Sequence, residues 1–124
     1  MAILTKEIRE MADKTETWVI STVNDDGTPR TIPVRLKKLL PGDEMIIADF
    51  YMKTTLHNLK ARPDKVAVTF WEPGVFHITG EARSESSGAL YDQCVELGRA
   101  RHRNAPKSVI VIKATSAQIW HRPR

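Results

Sequence analysis

The sequence predicts a mainly β protein, an antiparallel barrel of six to seven short strands accompanied by short helices. Three observations lead there. Short runs rich in β-branched and apolar residues recur along the chain, and period-two alternation within them marks half-buried strands. Tight turn signals join the first three runs, which forces those strands to be antiparallel. The helical segments are too few and too unevenly placed for a doubly wound parallel sheet, where strand and helix alternate throughout. In a chain of 124 residues, so many short strands favour a barrel, because closure removes exposed edges.

Leu4, Ile8 and Met11 recur at helical spacing among charged residues, so an amphipathic helix is expected at the N-terminus, ending before Thr15 and capping one end of the sheet. The segment TWVISTV, residues 17–23, reads as the first strand, and NDDG follows as a hairpin turn in which Gly27 takes the positive φ. In PRTIPVRLKKLL, alternation turns Ile32, Val34 and Leu36 to one face and Thr31, Pro33 and Arg35 to the other. Pro33 cannot donate to a strand ladder, which makes this part of the second strand an edge, a bulge or a place where the backbone faces something other than a neighbouring strand. PGDE forms the next turn and EMIIADF the third strand, followed by a short helix with Leu56 and Leu59 as its apolar stripe. That helix ends at Arg62-Pro63-Asp64, since proline disfavours helix in the residue before it. VAVTFW and VFHITGEARS are the fourth and fifth strands. Ser86 or Ser87 is placed to cap the longest helix, which runs to about His102, and SVIVIKA and SAQIWH supply the last two strands.

The composition fits one domain and excludes several classes of function. Apolar residues make up 41% of the chain, enough for a core. The net charge of +4 suits nucleic acid, anionic lipid or a phosphorylated small molecule alike. No helix-turn-helix, zinc-finger or aromatic RNA-binding signature accompanies the basic residues, which argues against nucleic acid. No apolar run reaches the roughly 20 residues of a membrane span, and the N-terminal segment lacks the apolar stretch of a signal peptide. The expectation is a cytoplasmic protein without a membrane partner. The single cysteine, Cys94, cannot form an internal disulfide, and helical spacing places it with Tyr91 and Leu97 on an apolar face. His57, His77, His102 and His121 show no metal-site spacing. The acidic pairs Asp25-Asp26 and Asp43-Glu44 lie in predicted turns, where such residues are expected. No catalytic acid, base, nucleophile or metal site is therefore assigned.

The segment DFYMKTTLHNLKAR, residues 49–62, is the most informative for function. A strand is expected to end in Lys53-Thr54-Thr55, with a helix directly after it. Unpaired N–H groups at a helix start, the positive end of its dipole, two hydroxyls and an ammonium converge there on one anion. The alternative is a threonine cap beside a solvated lysine. RTIPVR, with Arg30, Arg35 and Pro33, shifts the balance, because hairpin geometry is expected to pair this strand with the one leading into the junction. A phosphate at Lys53 and Thr54 would leave the rest of its ligand along the backbone of residues 31–34 and 47–49.

With those pieces in place, DGTPRTIPV, MIIADFYMKTTLHNLKARPDKVAVTFW and FHITGEA together resemble the FMN-binding split β-barrels related to pyridoxamine 5'-phosphate oxidase, above all the small members of about this length. The resemblance runs from Trp18 to Ala82 and implies a split barrel that holds FMN. By that likeness Lys53 and Thr54 take the flavin phosphate. Thr31, Ile32, Pro33 and Val34 line the ring, Ile47, Ala48 and Asp49 supply third-strand contacts, and Arg30 is a basic position near the ligand. The likeness further implies a homodimer with two flavins at the interface, each site completed by a partner chain through Trp71, Trp120 or the 99–104 segment. The activity implied is an oxidoreductase or electron carrier with a small-molecule or protein redox partner. Pyridoxine phosphate oxidation itself is not implied, since a family glutamine falls on Val75 and the arginine-rich C-terminal segment has no match here. A deazaflavin or haem in place of FMN, or a module that holds flavin without turnover, are the alternatives.

Overall fold

The computed structural model describes residues 2–71 and 74–120. Its elements are α1 (Lys6–Lys14), β1 (Trp18–Val23), β2 (Pro29–Val34), β3 (Lys37–Leu40), β4 (Glu44–Asp49), α2 (Lys53–Ala61), β5 (Val66–Trp71), β6 (Val75–Glu85), α3 (Ala89–Arg99) and β7 (Ser108–Trp120). All strand pairs in the described residues are antiparallel, in one seven-stranded sheet of order β2-β1-β5-β6-β7-β4-β3. The two edge strands, β2 and β3, are consecutive in the chain, which curls the sheet into a half-barrel. This is the expected split barrel, reached by a different division of the strands.

The run from Pro29 to Leu40 was expected as one strand paired with β4. It instead divides at Arg35 and Leu36: β2 pairs with β1, Pro33 opposite Val19, while β3 pairs with β4, Lys37 opposite Ile47. Leu36 marks the crossing. Ile32 and Val34 pack in the core inside the barrel, whereas Leu36 joins a second cluster under α3. Conversely, the two strands expected at the C-terminus are one, β7, whose register against β6 shifts between Thr79 and Gly80. His121, expected to end the last strand, lies outside the described residues.

Alternation explains the core. Trp18, Ile20, Val68, Phe70, Phe76 and Ile78 are buried inside the barrel, and Phe70 stacks between Trp18 and Phe76 at centroid distances of 5.5 and 5.4 Å. Burying each such side chain contributes about 1.5–3 kcal/mol. β4 is buried on both faces: Met45 and Ile47 face the barrel, Ile46 and Ala48 the second cluster. Helix α1 begins at Thr5, whose hydroxyl accepts the Ile8 N–H, and its Ile8 and Met11 enter the main core. The preceding segment is tied down by Asp43, whose carboxylate accepts the N–H groups of Ile3 and Leu4 at 3.0 and 2.9 Å. Those two bonds hold the Asp43 carboxyl below its ordinary value.

Cys94 sits with Leu90, Tyr91 and Leu97 in the second cluster, as helical spacing predicts. Burial, and secondarily the charge of Asp49, pushes its thiol up to about 11, away from the reactive thiolate range. Ser86 and Ser87 do not cap α3. Gly88 occupies the cap position with φ 100°, a backbone conformation that favours glycine. The far end of α3 closes differently. Arg103 N–H donates to Gly98 O at 2.8 Å and His102 N–H to Arg99 O at 3.0 Å, with His102 at φ 58°. This is a Schellman closure in which histidine holds the left-handed place that glycine usually takes. Since a left-handed non-glycine costs about 1–2 kcal/mol, His102→Gly is expected to stabilise the fold by about 0.5–1 kcal/mol after the extra unfolded-state entropy of glycine is offset. Urea denaturation checks this, and a lower midpoint would contradict the assignment.

Candidate functional site

The anion junction is built by α2 and the turn before it. The strand ends at Asp49 rather than in Lys53-Thr54-Thr55, and those three residues form the first turn of α2, with Met52 at the cap position and no side-chain cap bond. The threonine-cap alternative therefore does not hold. Asp49 organises the turn instead. Its fully buried carboxylate accepts the Met52 N–H at 2.9 Å and the Ser108 hydroxyl at 2.8 Å. Tyr51 between them adopts φ 65° and stands 86% exposed. Lys53 and Thr54 are also exposed, at the start of α2; there the Lys53 N–H donates to Tyr51 O at 3.0 Å, while the N–H groups of the next residues lack an intrahelical partner beside the positive end of the dipole.

Helix α2 is fixed against the β1–β2 hairpin. Asn58, buried, donates through Nδ2 to Thr22 Oγ1 at 3.1 Å and to Asn24 Oδ1 at 2.8 Å. His57 and Arg62 both contact Asp25 in the hairpin turn, at 2.9 and 3.1 Å. Those bonds hold the exposed Asp25 carboxyl below its ordinary value, Arg62 first and His57 next. Neither the Asn58 lock nor the Asp25 clasp was foreseen; a polar residue inside the α2 apolar stripe is the one signal that pointed to such a lock.

This docking brings β2 to the junction although β2 and β4 are not paired. Arg30 Nε donates to Thr55 Oγ1 at 3.4 Å, which ties β2 to the first turn of α2, the turn that also carries the exposed Lys53 and Thr54. β2 is an edge strand. A proline paired within a ladder turns its nitrogen away from the partner strand, and by alternation Pro29, Thr31 and Pro33 present their backbone to the open side. Thr31 and Pro33 are exposed, Ile32 is half-buried and Val34 is buried. On β4, Ile47, Ala48 and Asp49 are buried, and their backbones are paired to β7; Ile47 also pairs with Lys37, and Ala48 N–H donates to Leu36 O at 2.9 Å. Arg30, Thr31, Pro33, Lys53 and Thr54 thus lie on accessible surface, whereas the β4 trio is buried within the sheet.

The sheet's outer face carries a second feature. Trp71, Val75 and Trp120 are aligned by register across β5, β6 and β7 and are 47%, 40% and 51% exposed. His77, two residues further along β6, faces the same way, bonded through Nδ1 to Thr69 Oγ1 at 3.1 Å and tilted toward Trp120. It therefore points away from the barrel interior. Among the described residues no cluster of three or more His, Cys, Asp or Glu side chains is arranged to hold a metal, and no helix is long and apolar enough to cross a membrane.

Solved structures share this architecture. HupZ of Group A Streptococcus superposes with a TM-score of 0.83 at 19% identity, covering 96% of this chain and 98% of its own. An FMN-binding protein from Syntrophomonas wolfei gives 0.77 at 16%, covering 94% and 85%. An F420 reductase gives 0.69 at 18%, covering 89% and 94%. At these identities the likeness is one of fold. No curated protein matches the sequence. The family match, by contrast, is to the sequence itself and takes in the barrel, the junction and all three helices: residues 4–121 fit pyridoxamine 5'-phosphate oxidase, and the chain belongs to that family.

Proposed function

We propose that the protein binds FMN and acts as a homodimeric flavin-dependent oxidoreductase or electron carrier in the cytoplasm. The observation that supports this reading is the bond from Arg30 on the edge strand β2 to Thr55, in the same first turn of α2 that carries the exposed Lys53 and Thr54. The residues fit a phosphate-bearing planar cofactor. Lys53, Thr54 and the first-turn N–H groups hold a phosphate dianion by charge-assisted bonds. Arg30 adds charge next to it while bracing Thr55. The exposed Thr31 and Pro33 backbone offers polar contacts to a ring edge, with Ile32 and Val34 as the apolar support behind. Ile47, Ala48 and Asp49 back the pocket and fix the turn that sets the phosphate end. When bound, FMN supplies hydride or electron transfer, and the chain supplies position and hydrogen bonding.

The reading makes phosphate the main handle, so FMN should bind about ten- to a hundredfold more tightly than riboflavin, the worth of one or two charge-assisted hydrogen bonds. Quenching of flavin fluorescence measures both affinities. Equal affinities would remove the phosphate from the junction.

The dimer reading rests on the Trp71, Val75 and Trp120 row, since large apolar side chains grouped on an open sheet face mark association surfaces. Sedimentation should give twice the chain mass for the wild type and a single chain for the Trp71→Glu/Trp120→Glu double variant. A monomeric wild type at micromolar concentration would refute it. One observation favours a second cofactor: the shared fold with an F420 reductase supports a deazaflavin reading on the same edge, with the same phosphate logic.

A further inference from the structure

We propose a second ligand site, for a one-ring aromatic carboxylate, in the pocket between the β4–α2 and α3–β7 loops. Phe50, Tyr51, Arg103, Asn104, Ala105 and Lys107 line a pocket of about 160 Å³, close to the roughly 150 Å³ of a cavity known to accept benzene. The lining has two cations, one amide, two aromatic rings and no carboxylate. Among the described residues, neither Arg103 nor Lys107 is engaged in an ion pair.

The pocket is built rather than incidental. The Arg103 guanidinium lies 4.2 Å above the Phe50 ring centroid, a stacking that orients its planar fork and strips water from one face. The Schellman bond from Arg103 N–H to Gly98 O fixes the loop at its start. Its far end is fixed by Lys107 N–H on Asp49 O at 2.9 Å and by the Tyr91 hydroxyl on Pro106 O at 2.7 Å. Both loops also carry a left-handed non-glycine residue, Tyr51 at φ 65° and His102 at φ 58°. Such strain persists where surroundings enforce it and concentrates at ligand sites. Here it throws the Tyr51 ring out of the core to stand exposed at the pocket.

The chemistry follows from that lining. A guanidinium fork pairs with a carboxylate in a bidentate manner, an ammonium and an amide supply further donors, and the exposed Tyr51 ring, with the part of Phe50 that Arg103 leaves uncovered, accepts a flat apolar body. A phosphate uses the cations and leaves the rings idle, and an uncharged arene forfeits the cations. This site stands apart from the flavin reading and does not depend on it.

Titration of the purified protein with benzoate, followed by amide chemical shifts, tests it. Saturable shifts confined to residues 50–52 and 101–107 are expected, with Arg103→Gln and Lys107→Gln each weakening binding about tenfold, the equivalent of one charge-assisted bond. Lys107→Gln leaves the Arg103–Phe50 stack in place and so covers the case in which Arg103→Gln perturbs the loop. Benzamide should bind far more weakly than benzoate, and inorganic phosphate should not displace it. Absence of saturation, unchanged affinity in both variants, or displacement by phosphate would overturn the proposal. Displacement by FMN would overturn it too, because the pocket would then be the cofactor's own. A protein that binds benzoate but no FMN would uphold this site and refute only the flavin reading.

Discussion

Replacing Lys53 with alanine is expected to weaken FMN binding by about ten- to a hundredfold, the loss of one charge-assisted contact to a phosphate. The folded state should be nearly untouched. Lys53 is exposed in the first turn of α2, and the helix is held elsewhere, by Asn58 on Thr22 and Asn24 and by Leu59 in the core. Alanine is also the best helix former at such a position. Flavin titration together with thermal unfolding separates the two effects: affinity should fall while the melting temperature stays put. A Lys53→Ala protein that retains FMN as tightly as the wild type would show that the phosphate lies elsewhere.

Gly80→Ala is expected to be among the most damaging single substitutions in the sheet. A Cβ at residue 80 would sit 2.5 Å from Lys113 O and 2.8 Å from the Ile112 Cγ2. The nearer obstacle is backbone, so no rotamer change relieves it. Gly80 lies where β6 and β7 shift register, Gly80 opposite Ala114 and Thr79 opposite Ser116, and glycine at a bulge lets one backbone approach another closely. Opening the ladder to admit the methyl should cost about 2–3 kcal/mol, at the upper end of overpacking penalties. Denaturant unfolding measures it. A loss near zero would mean the two strands have room that the register does not suggest. The comparison with Gly98 is informative: a Cβ there would meet its nearest neighbour, the Phe50 Cζ, at 3.5 Å, an ordinary contact.

Much of this architecture is legible in the residues because its determinants are local. The alternation of Ile32 and Val34, the Gly27 turn and the helical spacing of Leu4, Ile8 and Met11 each specify a face or a bend without reference to distant parts of the chain, whereas Leu36, expected on the same face as Ile32 and Val34, belongs to the second cluster. Pro33 likewise announced an edge strand. What escaped was the choice of partner: nothing in TIPVRLKK says that pairing passes from β1 to β4 at Arg35 and Leu36, because that exchange is set by barrel closure. The same closure joins SVIVIKA and SAQIWH into one strand, with the bulge absorbing the Thr115 position that separates them.

At the candidate site, the residue types and their order were legible and the contacts were not. Lys53 and Thr54 were placed at a helix start from sequence, yet the turn is organised by Asp49, buried 59 positions before its partner Ser108. Arg30 was expected to approach through strand pairing and arrives through Thr55 instead. The pocket at Arg103 and Lys107 depends on a left-handed tyrosine, a residue type that does not advertise that conformation, and on a left-handed histidine, a type enriched in it yet more often found elsewhere.

The visible absorption spectrum of the freshly purified protein, with mass analysis of whatever is released on denaturation, tests the central claim most directly. The account predicts a yellow protein with the two near-visible bands of a flavin and release of FMN. A single band near the violet edge would replace FMN with a deazaflavin, and an intense Soret band would replace it with haem. A colourless protein that stays colourless and binds no added FMN would contradict the account.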